Sequence, residues 1–556
     1  MLDPATVAAR LRELAAYLEA EEDVYRARAY RRAANAVDST AVLHRLIVEG
    51  RLEELPGVGA SLAAAIHALA MQGTTPMLEE LRARWPRVLL ALTSVPGLGP
   101  RKARVVHDAL GVDSVEELAQ ACRDGRVRTL PGFGAASEAK LLAAIGKRRE
   151  KGPPRLIWPD ADELARSLRG ALVDSPFTLD AAIAGELRRG AEVIGDLAFA
   201  VATEDPGAVC VHLAGQPLIL GVAADAPDLA RVEIAAGLPV ALHLGPPERF
   251  GALLARATGS ARHWRELEAR AAARGVDLDF PDEESLYAAL DLPWIPPEIR
   301  DGDDEITTLP GPLVTRADVR GAVHCHTTYS DGRATILEMA KAAEALGLEY
   351  LTITDHSSAA GYAGGLDVEQ LRRQWDEIDD VQGSVGIRLL KGTEADILAD
   401  GALDWPDEIL ERFDVIIASI HQRHGLGEDD MTRRLVRAMR LPVFKIWGHA
   451  LGRMLLRRDP IACRFDEVLD AIAGGRAAIE LNGDPHRMDL EPALVRRAQA
   501  RGIRFVLSSD AHSTAALRHL DNAVRMARRA RLVPAEVLNT LPAAEFAAAV
   551  RPLSAA

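Results

Sequence analysis

Beyond residue 320, short apolar runs keep ending in histidine, a carboxylate or an amide. "GAVHCHT" ends in His324 and His326, "EYLTITDHS" in Asp355 and His356, and "IRLLKGTEAD" in Glu394. "FDVIIASIH" ends in His421, "VFKIWGH" in His449, "AAIELNGD" in Asn482, and "RFVLSSDAH" in Asp510 and His512. Each run reads as a buried strand, and helical stretches fill the intervals, an alternation that builds a parallel sheet or barrel. In an α/β barrel the C-terminal strand ends converge on one mouth, so residues distant in sequence meet there. Side chains alternate along a strand, so His324 with His326, and Asp510 with His512, aim at common points.

A lone histidine is normally a core or surface residue, but seven strands ending this way are not explained by chance. Imidazole and carboxylate together suit divalent transition metals, and these ligands, with Asp331 close behind His326, exceed what one ion needs. A multinuclear site is expected. His424, His486 and His519 lack the placement and are read as ordinary, although His486 falls near the mouth.

At 556 residues the chain needs several cores. Hydrophobic residues at 48% and charged residues at 26% are those of a globular protein. No apolar run approaches the roughly 18 residues of a spanning helix. The opening "MLDPATVAARLRELAAYLEAEE" places acids where a signal peptide is basic and then apolar, and Cys122, Cys210, Cys325 and Cys463 form no CxxC pair. No membrane association and a cytoplasmic location are expected. Net charge is -15, yet residues 1–150 hold 21 Lys and Arg against 19 Asp and Glu, so nucleic-acid contact is expected at the N-terminal end.

That end reads as helices and turns, with one phrase in three versions: "LPGVGASLAAAI" from Leu55, "VPGLGPRKARVV" from Val95 and "LPGFGAASEAKLLAAI" from Leu130. Each is apolar, Pro, then Gly-x-Gly opening a helix, the pattern of a helix-hairpin-helix. Gly57 and Gly59, Gly97 and Gly99, Gly132 and Gly134 let a phosphate approach the backbone closely, and the helix N-terminus offers free N–H groups and partial positive charge. A single copy could be a plain interhelical turn. Three, the second followed by Arg101, Lys102 and Arg104, point to sequence-independent binding of the DNA backbone.

"HCHTTYSDG", "TDHS", "GTEADI", "ASIH", "WGHALGR", "ELNGDPHRMDL" and "SSDAHS" resemble the successive motifs of the PHP (polymerase and histidinol phosphatase) domain over residues 319–556. All nine positions that bind metal in that family hold suitable residues. The resemblance implies a distorted (β/α)7 barrel in which His324, His326, Glu394 and Asp510 hold one ion, Glu394, His421 and His449 a second, and Asp331, His356 and His512 a third. The ions would be manganese or zinc, and the activity that of a phosphoesterase, since such ions acidify water and steady charge on phosphoryl oxygens. Arg453, counted with the catalytic set, and Arg487 are expected as phosphate clamps, the plain reading being surface arginines in salt bridges.

Residues 1 to about 312 resemble the family X DNA polymerases through "YRARAYRRAANAV", the hairpin phrases, "GELRRGAEVIGDLAFAVAT", "FGALLARATGSARHW" and "LPWIPPEIR". The expected fold is multidomain: an all-α hairpin region, an α+β palm and thumb, and the barrel. Expected boundaries are 1–90 (helical, lyase-type), 91–155 (hairpin fingers), 156–245 (palm), 246–300 (thumb), 301–318 (linker) and 319–556 (PHP). Arg188 and Arg189 would meet DNA.

Departures from the polymerase pattern are pointed. Three palm carboxylates should hold two magnesium ions, yet Asp196, Leu197, Ala198 stands where Asp-x-Asp belongs, and the third acid falls at about Ala241. The Gly-Ser that meets the triphosphate is Gly185 and Glu186, whose charge would repel it. Ser61 and Ala65 replace the lyase lysines, so no Schiff base can form. The expectation is a metal-dependent 3'-5' exonuclease or 3'-end processing enzyme acting on primer ends and on gapped or nicked DNA in repair, with an inactive polymerase site and doubtful palm magnesium. Its rivals are an active polymerase with an associated exonuclease, a DNA-binding adaptor whose metals are structural, and a small-molecule phosphatase.

Overall fold

The computed structural model describes residues 4–552 apart from 22, 39–42, 85–91, 93, 94, 96, 113, 151–153, 217, 218, 235, 309 and 310. The chain divides into two compact units, Met1–Asp303 and Asp304–Ala556.

In the first unit, apolar residues at helical spacing form α1 (Pro4–Ala20) and α2 (Val24–Asp38), and Leu11, Leu14, Leu18, Ala27 and Ala34 meet in the core. The hairpin phrases lead into α3 (Ala60–Gln72), α4 (Pro100–Leu110) and α5 (Ala135–Glu150). Their first glycines, Gly57, Gly97 and Gly132, have φ of +75°, +90° and +81°, a region that strains any side chain. Their second glycines lie just before the helices, and a Cβ on Gly59 or Gly134 would have no atom within 4 Å. The turn therefore needs the first glycine, while the second leaves the helix N-terminus uncovered. Pro96 of the middle phrase and the Arg101 side chain lie outside the described residues. Lys102 is exposed, its Nζ 5.4 Å from the Phe133 ring centre, which links the second phrase to the third.

A five-stranded mixed sheet follows, in the order β1 (Asp180–Ile183), β2 (Leu197–Ala202), β5 (Val240–Gly245), β4 (Leu229–Ile234), β3 (Ile219–Ala226). Only β2 and β5 pair in parallel. β2, "LAFAVA", is buried along its whole length, so both of its faces are covered. Phe199, Val201 and Leu242 join Ala165, Leu168 and Leu172 of helix Trp158–Val173 in one core.

The second unit is a closed barrel of seven parallel strands arranged in chain order: β6 (Gly321–Cys325), β7 (Tyr350–Ile353), β8 (Arg388–Asp396), β9 (Val415–Ser419), β10 (Lys445–Trp447), β11 (Ala477–Asn482) and β12 (Phe505–Ala511), which pairs back to β6. Val323, Leu390, Val415, Ile417, Ile446, Ala478 and Val506 fill it together with Leu538 and Phe546. Phe546 stacks on Tyr350 with ring centres 4.8 Å apart. The expected fold class, helical hairpins, a mixed α/β middle and a (β/α)7 barrel, is the one observed.

Candidate metal centre

Glu394, near the C-terminal end of β8 and 1% exposed, is the hub of the barrel mouth. Its Oε1 lies 2.8 Å from His449 Nε2 and 3.1 Å from His421 Nε2. Its Oε2 lies 3.0 Å from His356 Nδ1, 3.3 Å from His324 Nε2 and 3.5 Å from His326 Nε2. Asp510 Oδ1 approaches His326 Nε2 at 3.3 Å and His324 Nε2 at 3.6 Å, while Asp331 Oδ1 is 3.3 Å from His512 Nε2. All nine expected ligands thus come to one place.

Their donor sets overlap, with Asp331, His356 and His512 in one and His324, His326 and Asp510 in another, as expected of them. Donor atoms within 4.8 Å of one another fall into four overlapping sets: His326, Asp331, His356 and His512; His324, Glu394 and His449; His324, His326 and Asp510; His356, Glu394 and His421. His326 stands between two sets, its Nε2 3.3 Å from Asp510 and its Nδ1 3.7 Å from Asp331, while His421 and His449 approach the same Glu394 oxygen from different sets. His424, His486 and His519 belong to no such set among the described residues.

The residues fit metal ions by a test internal to the site. His324 Nε2, both ring nitrogens of His326, His356 Nδ1 and His449 Nδ1 are buried without a hydrogen-bond partner, although carboxylates lie near several of them. Lone pairs buried this way are costly unless a cation takes them. His324, His449 and Asp510 also hold φ of +64°, +26° and +49°, conformations that cost about 1–3 kcal/mol each and persist where the surroundings enforce them.

The electrostatics point the same way. Burial opposes a charge on Glu394, yet the imidazoles of His421, His324 and His356 hold its carboxyl well below the usual range. Asp510 is buried too and is held low by His324 and His326. Burial disfavours charged His356 and His421, but Glu394 beside both lifts them to about 10 and about 9. Asp331 similarly lifts His512, against burial, to about 9, while burial and the neighbouring His356 press His326 down to about 4. A field that gathers protons in this way is one that a divalent cation would neutralise.

Two carboxylates that sequence reasoning did not single out orient the rings. Glu480 Oε1 accepts from His324 Nδ1 at 2.5 Å and from Ser508 Oγ at 2.5 Å, which leaves His324 Nε2 aimed at Glu394 and Asp510. Asp396 Oδ1 lies 3.3 Å from His421 Nδ1 and turns Nε2 toward Glu394. The available signal for Glu480 was a charged residue in the middle of "AAIELN", a strand otherwise apolar up to its end.

The arginines need correction. Arg453, expected as a phosphate clamp, is engaged within the protein: its Nε donates to the Arg487 carbonyl at 3.0 Å, a terminal nitrogen donates to the Met488 carbonyl, and another pairs with Glu491. It holds the loop that presents Arg487, whose Nε lies 3.6 Å from Asp510 Oδ2 at the mouth. Arg188 and Arg189, expected at DNA, are also engaged internally. Arg188 pairs with both oxygens of Glu283, which the fully buried Arg300 grips as well, and Arg189 donates to Thr258 O and Asp301.

On the mixed sheet, Ala198 of β2 lies directly opposite Ala241 of β5. They line a cavity of about 1180 Å³ together with Gly185, Glu186, Arg189, Asp196 and His243. Glu186 Oε2 accepts from Gly195 N at 2.8 Å, and burial together with the Glu186 charge raises the pKa of Asp196. Two methyl groups thus face the cavity where paired strands could have carried acids.

Residues 4–75 match a helix-hairpin-helix domain, 89–147 a SAM-like helix-hairpin-helix tandem and 322–483 a PHP domain. The chain is 32% identical over 549 residues, 95% of its length and 96% of the relative's, to the DNA polymerase/3'-5' exonuclease PolX of Bacillus subtilis. It is also 30% identical over 244 residues to a probable phosphatase of Caldanaerobacter subterraneus subsp. tengcongensis, and 29% over 226 residues to one of Acetivibrio thermocellus. These cover 40% and 39% of this chain and 89% of each phosphatase. Among the described residues no helix is long and apolar enough to cross a membrane.

Proposed function

The chain belongs to the bacterial PolX family, and from that premise we propose that it is a metal-dependent 3'-5' exonuclease acting through its barrel, on a polymerase scaffold that no longer polymerises. The observation that carries this reading is the contrast between Glu394, approached by five imidazoles, and the facing pair Ala198 and Ala241.

His324, His326, Asp331, His356, Glu394, His421, His449, Asp510 and His512 would hold up to three ions, manganese or zinc by the chemistry of the donor set. When bound, such ions acidify water and neutralise charge on phosphate oxygens. Around them, Glu480 fixes the His324 ring and Asp396 the His421 ring, so the donor atoms are set before substrate arrives. Arg487, held by Arg453, would take a non-bridging phosphate oxygen and orient the terminal phosphodiester. The open N-termini of α3, α4 and α5 and the exposed Lys102 would grip the DNA backbone without reading bases.

Nucleotide addition in this family needs acids at the palm positions occupied by Ala198 and Ala241, and a methyl group offers a magnesium ion no oxygen. Glu186 would repel a triphosphate besides. One relative is named a DNA polymerase, so an active palm is the reading to beat. Purified chain with a labelled primer-template and manganese decides between them. Shortening with and without nucleotides, lost in His421→Ala while DNA binding remains, is expected. Lengthening at the rates of an ordinary polymerase would refute the palm reading, and unchanged digestion by His421→Ala the nuclease reading.

A further inference from the structure

The loop after β7 carries one aromatic ring, Tyr362, on the single turn Gly361–Ala363. It is 69% exposed, while the His356 beside it is 4% exposed. Isolated exposed apolar residues are ordinary, so position has to argue for it. The Tyr362 ring centre lies 6.2 Å from that of His356 and 6.2 Å from that of His421, inclined at 58° and 61°. That separation is of the order of the distance between a nucleobase and its own phosphate.

The loop is held firmly. Ser357 N donates to Glu394 O at 3.1 Å, Leu366 N to His356 O at 2.8 Å, Ala359 N to Asp404 Oδ2 at 3.0 Å, and Gln422 Nε2 to Ala359 O at 2.8 Å. A Cβ at Gly365 would fall 1.9 Å from Ser357 O, so the loop closes on itself only with glycine there. An aromatic face presented on such a support loses little freedom when it is covered.

We propose that Tyr362 is a stacking platform for the base of the nucleotide being removed, a subsite that seats a terminal nucleobase beside the metal centre. This rests on the phosphodiester-cleaving reading above. The platform accepts any base, because every base has a π-face, and it offers nothing comparable to a terminus that lacks one.

The test uses the full chain with manganese and two 5'-labelled oligonucleotides, one ending in an ordinary nucleotide and one in a stable abasic residue. Wild type is expected to prefer the base-bearing end by roughly ten- to hundredfold in kcat/KM. Tyr362→Ala should cleave both ends alike, with the loss in KM, and Tyr362→Phe should keep the preference. Equal cleavage by wild type, or a preference that survives Tyr362→Ala, overturns the stacking role. Failure of wild type to shorten either strand overturns the hydrolytic reading and this one with it.

Discussion

At the barrel mouth five imidazoles crowd one glutamate, whereas on the mixed sheet two alanines face each other across paired strands. Both sheets are intact, because what holds them lies elsewhere. Val323, Ile417 and Ile446 pack one, Phe199, Val201 and Leu242 the other, and none of these is a ligand. A strand scaffold therefore needs no acids at these positions, and burying alanine is the easier course. Ligands have the opposite character: His324, Asp510 and Glu394 combine strained backbone or buried charge, and they stay only where something offsets that cost.

The contrast is broken most severely by Glu394→Ala, which makes the mouth resemble the palm. Exonuclease activity should fall by about 10³-fold or more, since several kcal/mol of charge stabilisation are lost, as a labelled-primer assay would read. A fall of less than tenfold would mean the hub is structural.

Next is Glu283, an acid that is buried in the first unit. Burial opposes its charge, but hydrogen bonds from Arg188 and Arg300 bring its pKa down to about 2. A depressed carboxylate stabilises the fold above its unfolded pKa, so about 3 kcal/mol should be present above pH 5 and lost as pH falls toward 2. Glu283→Gln should remove that acid dependence, and hydrogen exchange over residues 156–303, with the barrel as control, would register it. An unaltered pH profile in the variant would exclude Glu283 as its source.

Glu480→Ala should then cost roughly 10–100-fold in metal affinity, measured by calorimetry, because His324 loses the acceptor that sets its tautomer. Glu480→Gln, which keeps an acceptor oxygen, should recover most of it. Equal losses in the two variants would point to charge rather than orientation.

The smallest effect comes from placing acids at the two facing alanines of the mixed sheet. Ala198→Asp with Ala241→Asp should gain about 1 kcal/mol of stability at a fourfold excess of magnesium over its Kd, with none in wild type. Exchange rates over residues 180–245 that ignore magnesium would show that acids at these two positions are not all that the site lacks.

Much of this was legible before any coordinates. The hairpin glycines were readable because φ near +80° admits little else, and the barrel because apolar runs alternate with helical ones. Eight of the nine ligands stood out by ending those runs, and Asp331 by following His326 closely. The overlap of the ligand sets around Glu394 was not legible, since it depends on ring orientations set by Glu480 and Asp396 from other strands. The arginines misled because one guanidinium looks like another in sequence. Arg453 turns back onto two carbonyls and Arg188 onto Glu283, contacts 34 to 95 residues away in the chain.

By itself, the sequence determined which chemical groups the protein owns and which it lacks: imidazoles and acids after residue 320, methyl groups at 198 and 241, and an aromatic ring at 362. Local patterning carries that much, because strand period and glycine conformation act over a few residues. Only the tertiary structure decided that Ala198 lies opposite Ala241, that Arg487 rather than Arg453 faces the mouth, and that Tyr362 stands beside His356 and His421. Those are meetings between distant segments, fixed by strand register and barrel closure, and no local rule encodes them.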